Sequence, residues 1–507
     1  MQARRRIRTK QQEAGIALLI SIFVLLLISV VAIALIVSSS TESSLAGNYR
    51  SSTGVYYAAS AGLEEARGRL LAKDPNSFNN TALGFLPSPG NTLAIGAVAY
   101  VLNPGPTEAL GTMLATYPDA QYDTEFGSGA LGAATVTTTA SIWNNSPLNT
   151  LSFPAPLYKW ARINAVSEKS LNIDADADGL ADSTTPLYYD GAHFSNSSSA
   201  GAQVMEITSL AVLPNGSQKI LQYLVAPILA PLVGPNPLSF PAALMLDGNG
   251  VIFNTNTSNN FWVKGNDQYN ALNCSPSPPP PAVPAIGFTN SSDLTNITSK
   301  IPSGPPPAGN PDLRGNYTNL ISPTPNVTQV TLPTSLTTVA GLNALVQAIK
   351  QNPDVPVITP SGQLTDANNF MPAAMSPTNP MTIVINGDLT INGWHHHGYG
   401  LLLVTGKLTY DPDAFWHGII LVIGKGWFYS YQGSNTGGHI EGAVFIAQTV
   451  DPTTGNPLST LGASRFDFTS SSLNPSGSNY PGIYYSNCWI QAAMPSYKIL
   501  SFHEISQ

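Results

Sequence analysis

The sequence predicts an α+β chain, mainly β: a long N-terminal α-helix, a β-rich middle domain and a C-terminal right-handed β-helix or solenoid-like domain. Three observations predict this. An uncharged apolar run lies near the N-terminus, only 10% of residues are charged while Gly (43) and Pro (42) are abundant, and glycine-punctuated strand patterns recur near the C-terminus. Such a composition favours strands and polar loops over charged helical surfaces. At roughly 150 residues per domain, 507 residues exceed one compact core and predict two or three units.

The net charge is −8, yet Arg4, Arg5, Arg6, Arg8 and Lys10 crowd the first ten positions. Setting aside residues 1–15 leaves 16 basic against 28 acidic residues, an acidic body without the cationic face that nucleic acid requires. Two cysteines, Cys274 and Cys488, are compatible with one disulfide in an oxidising compartment or with two buried thiols.

From Ile16 through Ile20 to Val37 run 22 uncharged residues interrupted only by Ser21 and Ser29. As a helix they span about 33 Å, enough to cross a bilayer. The basic cluster before them stays cytoplasmic by the positive-inside tendency, so the body lies outside the inner membrane. A cleaved signal would be shorter and carry its small-residue site on the far side; here the processing signal, Glu13-Ala14-Gly15 before Ile16, precedes the apolar run. An uncleaved anchor is the plainer alternative. Beyond the run, Leu45, Tyr49, Tyr56, Ala59, Leu63, Ala66 and Leu70 recur at helical spacing, and Asp74-Pro75 supplies the stop. A helix from Ile16 to Lys73 would be about 87 Å long, half apolar all round and half amphipathic.

Across residues 11–73 the sequence resembles the N-terminal module of PilX-type minor pilins: Gly15, then IALLISIFVLLLISVVAIALIV, then STESSLAGNYRSSTGVYYAASAGLEEARGRL. The resemblance implies a prepilin leader at 1–15, a pilin helix at 16–73, and a prepilin peptidase that cuts after Gly15 and methylates the new terminus at Ile16. Its partners would be other major and minor pilins and the inner-membrane assembly machinery. Most major pilins place a glutamate at the fifth mature position, where this chain has Ile20. Without that carboxylate the subunit lacks the buried contact to a neighbour's terminal ammonium, which suits a rare subunit at or near the tip.

A β-rich domain is expected over 90–232, with strands at Ile95–Leu102, Ala134–Ile142, Trp160–Ser167 and Gln203–Leu213. Within it, Asp174, Asp176, Asp178 and Asp182 with Gly179 have the spacing of an EF-hand-like calcium loop. Thr185 replaces the bidentate glutamate, so calcium competes with a polar surface turn, for which Asp and Gly are the usual residues.

A β-helix-like domain is expected over 238–507, with a proline-rich excursion at about 272–378 in which only Thr338–Asn352 has helical spacing. Segments starting at Ile383, Leu402 and Ile420 align at offsets of 19 and 18 residues, and Gly400, Gly418 and Gly442 open a second phase of the same pattern. Short strands punctuated at that period argue for stacked coils. Ala243-Leu-Met-Leu-Asp247 resembles an earlier coil, and segments at Gly482 and Lys498 read as closing strands. His395, His396, His397, His417 and His439 fall at turns of this region, where a transition-metal site competes with an aromatic and imidazole ladder facing solvent or a glycan.

The expected function is a minor pilin or pseudopilin of a type IV pilus or related secretion filament, assembled at or near the tip, with adhesion to a surface glycan or host ligand as an added role. The alternatives are a membrane-anchored β-helix polysaccharide lyase and a non-filament surface adhesin. Residues 381–450 offer only Lys407 and Lys425 as bases, and no Gly-x-Ser-x-Gly elbow or paired zinc-binding cysteine motif occurs, which argues against catalysis.

Overall fold

The computed structural model describes residues 3–70, 93–105, 108–126, 135–137, 157–198, 201–229, 240–255, 262–267, 282–301, 326–351, 356–430, 438–468, 481–495 and 497–505. It has a long N-terminal helix and a β-rich remainder.

The helix Ala3–Arg69 is unbroken across Gly15 and Ile16 and ends close to the expected Lys73; Asp74-Pro75 lies outside the described residues. Its two halves meet different surroundings. The large apolar side chains from Ile16 to Val37 are each between 48% and 69% exposed. Val55, Ala58, Ala59, Leu63 and Ala66 are buried against a sheet. The amphipathic stripe is therefore shorter than its sequence spacing: Leu45 (71%) and Tyr49 (74%) are exposed and only the portion from Val55 onward is covered. Gly62 makes this approach close, since a Cβ there would stand 2.2 Å from Ser209 Oγ and 2.8 Å from Tyr158 Cγ.

The sheet covering the helix runs in the order Thr135–Thr137, Val98–Leu102, Tyr158–Ala165, Met205–Val212, Gln218–Ala226 and Lys498–Ile505. All neighbours are antiparallel except the first pair. The strands expected at 95–102 and 203–213 appear shortened, that at 160–167 appears two residues earlier, and of 134–142 only the strand at 135–137 falls within the described residues, while Gln218–Ala226 was not singled out from the sequence. The expected closing strand at Lys498 pairs with Gln218–Ala226 and completes this first sheet, so the boundary set at 238–507 is corrected at its C-terminal end. The opposite face of the sheet, with Tyr100, Trp160, Leu210 and Ile220, packs on Met113 and Tyr122.

Between Ala226 and Lys498 the chain builds two parallel ladders. From Met381 onward it alternates between them: Met381–Ile385, His397–Val404, Phe415–Gly424 and Ile440–Gln448 join the long ladder, and Leu389–Ile391, Lys407–Tyr410, Trp427–Ser430 and Arg465–Phe468 join the short one. The registers Ile383↔Leu402 and Leu402↔Ile420 reproduce the offsets of 19 and 18 residues, and Gly400↔Gly418↔Gly442 form the second phase. Leu244–Asp247 pairs with Val444–Ala447, so the earlier segment lies beside the last of these long-ladder strands. Gly400, Gly418 and Gly442 have φ of +116°, +138° and +148°, and a Cβ at Gly418 would stand 2.1 Å from Gly400 O. A glycine column is the condition for this close stacking.

The region expected to leave the ladders contributes to them. Ile286–Phe288, Val327–Gln329 and Val357–Ile358 join the long ladder, and Gln363–Leu364 joins the short one. The helix Val339–Lys350 starts where Thr338 Oγ1 accepts from Gly341 N, and it buries Leu342, Leu345, Val346 and Ile349 against the ladder core.

Candidate functional site

Three places carry chemistry. The first is the expected calcium loop. Asn172 (φ 54°), Ala177 (φ 63°) and Gly179 (φ 92°) bend the backbone here. The potential ligand atoms of Glu168, Asp174 and Asp176 lie within 4.8 Å of one another, a group that includes neither Asp178 nor Asp182. Among the described residues, this is the group of three or more potential metal donors at that spacing. Glu168, six residues upstream of the motif, is fully buried, and the Ala175 and Ser183 backbone N–H groups donate to it at 2.6 and 3.0 Å. The Ala175 N–H above all holds its carboxyl below the usual carboxylate range. Asp178 instead accepts from Leu180 N at 2.8 Å, as in an ordinary Asx turn. An all-oxygen donor set suits a hard cation.

The second place is the outer face of the long ladder, where a register row runs Tyr399, His417, Glu441, Tyr484. His397 lies diagonally from His417, with Nδ1 to Nε2 at 2.8 Å. Glu441 receives His417 Nδ1 and His439 Nε2, each at 2.9 Å, and Trp489 Nε1 at 2.8 Å. A carboxylate only accepts, so all three nitrogens carry hydrogen toward it. The His397 Nδ1–His417 Nε2 hydrogen bond extends this chain, with its direction set by the ring tautomers. Burial alone would raise the Glu441 carboxyl, but the His417 and His439 hydrogen bonds outweigh it and hold it well below the usual range. His397 is lowered by burial and by the neighbouring His417. Rings stack around this chain, with His397 on Phe415 at 4.4 Å and Tyr399 on His417 at 4.9 Å.

The five histidines divide into two sets. His395 pairs with Asp366 through Nδ1 at 2.7 Å and His396 approaches the same carboxylate at 3.5 Å, whereas His397, His417 and His439 belong to the Glu441 network. His417 and His439 are joined through a carboxylate, a hydrogen-bonded relay that fastens the helix Asn487–Ala492 by its Trp489. Glu441 was not singled out in the sequence; its place one residue before Gly442, matching His417 before Gly418, was the available signal. That helix also carries Cys488, which is disulfide-bonded; Cys274 lies outside the described residues.

The third place is the short ladder's outer face. Lys407 Nζ sits 3.9 Å from the Trp427 ring centroid and Arg465 Cζ 4.2 Å from it. Lys425 pairs with Asp388 at 3.0 Å. Both lysines of the region thus have partners of their own. At the other end of the molecule, the processing pair Gly15 and Ile16 lies within continuous helix, and Ile20 and Val37 lie in a helix long and apolar enough to cross a membrane. No family model, curated protein or solved structure matches the chain.

Proposed function

We propose that the protein is a minor pilin or pseudopilin of a type IV pilus or related secretion filament, acting in assembly at or near the tip rather than as an enzyme. In this reading the ladders are the stacked coils of a right-handed β-helix, carried on a pilin-type sheet and helix. The observation that carries it is the division of one helix: uncharged, apolar and exposed on every side from Ile16 to Val37, then buried under its own sheet from Val55 onward. An apolar cylinder of that length is stable first in a bilayer and then among the helices of a filament. Residues 1–15 are the leader removed by prepilin peptidase. The absence of an acid at Ile20 fits a subunit that does not take part in every shaft contact. The body stands in the periplasm before assembly and at the cell surface afterwards. Glu168, Asp174 and Asp176 would hold calcium there, fastening the loop at 174–183 to the sheet.

N-terminal mass spectrometry of the protein from native membranes, with and without prepilin peptidase, tests this. The expected product is a chain beginning at N-methylated Ile16, seen only with the peptidase. An intact leader in both samples overturns the filament reading and leaves an anchored surface protein.

A further inference from the structure

A groove of about 590 Å³ runs between the helix Val339–Lys350 and the corner where the chain leaves the long ladder. The helix presents Asn343, Gln347 and Lys350, one turn apart along a single face. The ladder presents Asn386, Thr405 and Lys425, each just after one of three successive strands, while Thr449 after the fourth is buried. Parallel strands repeat at about 4.8 Å, so the corner offers polar side chains over about 10 Å. That repeat is close to the advance of one pyranose unit in an extended polysaccharide.

The backbone of the corner is already committed. Gly406 N donates to Gly387 O, Lys425 N to Thr405 O and Thr449 N to Gly424 O, at 2.9, 3.1 and 2.8 Å. An extended peptide seeking main-chain partners therefore finds few here. What remains is amide, hydroxyl and ammonium groups over an apolar floor of Val346, Ile423 and Val450, a combination that meets sugar hydroxyls and the faces of sugar rings. Lys350 Nζ holds Asn386 Oδ1 at 2.9 Å and Lys425 pairs with Asp388, so two ammonium groups and one carboxylate line the groove and an anionic substituent is accommodated.

We propose that this groove binds a linear oligosaccharide, one sugar unit per coil, with uronate-bearing chains favoured by Lys350 and Lys425. The inference gives a ligand to the body that the proposed function places at the cell surface, but it rests on the ladder and not on processing at Gly15.

Calorimetry of the detergent-solubilised full chain with neutral and uronate-bearing linear oligosaccharides of increasing length tests it. Affinity should rise with length and level off once the sugar covers three coils. The double substitution Asn343→Ala, Gln347→Ala, on the solvent side of the helix, should weaken binding tenfold or more with an unchanged melting temperature. Lys425→Ala should weaken uronate chains more than neutral ones, and Lys407→Ala, on the other ladder, should leave affinity unchanged. Absence of saccharide binding, or binding that is lost with Lys407→Ala and kept with the double substitution, overturns the proposal. A failure here with Ile16 correctly exposed would leave the filament reading standing, and the reverse result would leave the groove standing.

Discussion

The first sheet and the ladders bury charge in opposite ways. In the sheet, Arg162 is fully buried and binds Asp119 through Nη1 at 2.8 and 2.9 Å and Glu206 through Nη2 at 2.8 Å, with Tyr100 OH donating to the same aspartate. An antiparallel neighbour and a crossing segment bring two carboxylates onto one guanidinium. In the ladders, carboxylates are buried at corners and are met mainly by backbone N–H and hydroxyl groups. Gly393 N and Asp413 N donate to Asp411, and Thr289 Oγ1 donates to Asp247. Parallel strands in register place equivalent positions beside one another, so a cation at the equivalent position would lie on the next strand of the same ladder. The sheet neutralises its buried charge; the ladder meets Asp411 and Asp247 with backbone N–H and hydroxyl groups, and pairs only Asp467, among these three, with a cation, Arg465.

The sharpest way to break this contrast is to remove the cation. Arg162→Ala leaves Asp119 and Glu206 buried without it and should cost about 3–5 kcal/mol in urea unfolding at neutral pH. A cost below about 1 kcal/mol would mean that the sheet, too, relies on neutral donors. In the ladder, the corresponding weak point is steric. Gly418→Ala sets a Cβ against Gly400 O and should cost about 3 kcal/mol, whereas alanine at Gly47, where a Cβ meets nothing within 4 Å, should cost nothing. Similar losses at both positions would show that stacking is looser than the glycine column implies.

The next effect depends on pH. Burial pushes the Asp247 carboxyl up to about 7, and among the described residues its Oδ2 has no hydrogen-bond partner. A carboxyl whose folded pKa is raised favours the protonated form, so folding loses stability as pH rises from its unfolded value near 4 through about 7. Asp247→Asn should therefore stabilise the protein by about 2 kcal/mol at pH 8 and by nothing at pH 4. A pH-independent difference would place the carboxylate in a solvated corner. The smallest effect expected is calcium removal. Chelation should lower the melting temperature by about 2–4 °C, and Asp174→Asn with Asp176→Asn should abolish that response. An unchanged melt on chelation would reduce the loop to a polar turn.

The candidate sites were unevenly legible. Asp174 and Asp176 were visible because turn and calcium loops share a local spacing, but Glu168 joins them only after the strand and the short helix at Glu168–Leu171 fold back over the loop. The histidines were visible as a recurrence without an exact phase. Their partner Glu441 occupies His417's place before the repeat glycine and was legible only there, whereas the diagonal contact of His397 with His417 depends on side-chain direction across two strands and not on position in a repeat. The groove had no signature at all, since its two walls lie in different parts of the chain.

By itself, the sequence determined the helix, its apolar half and the strand phase of the ladder. Each is a periodicity of side-chain hydrophobicity or of glycine that acts over a few residues, and register follows wherever one face must be buried. Only the tertiary structure decided that Lys498–Ile505 completes the first sheet, that Leu244–Asp247 lies beside Ile440–Gln448, and that the Val339–Lys350 helix walls a groove. Those choices depend on which strand edges and apolar faces stand free when distant segments meet, and no local pattern records that.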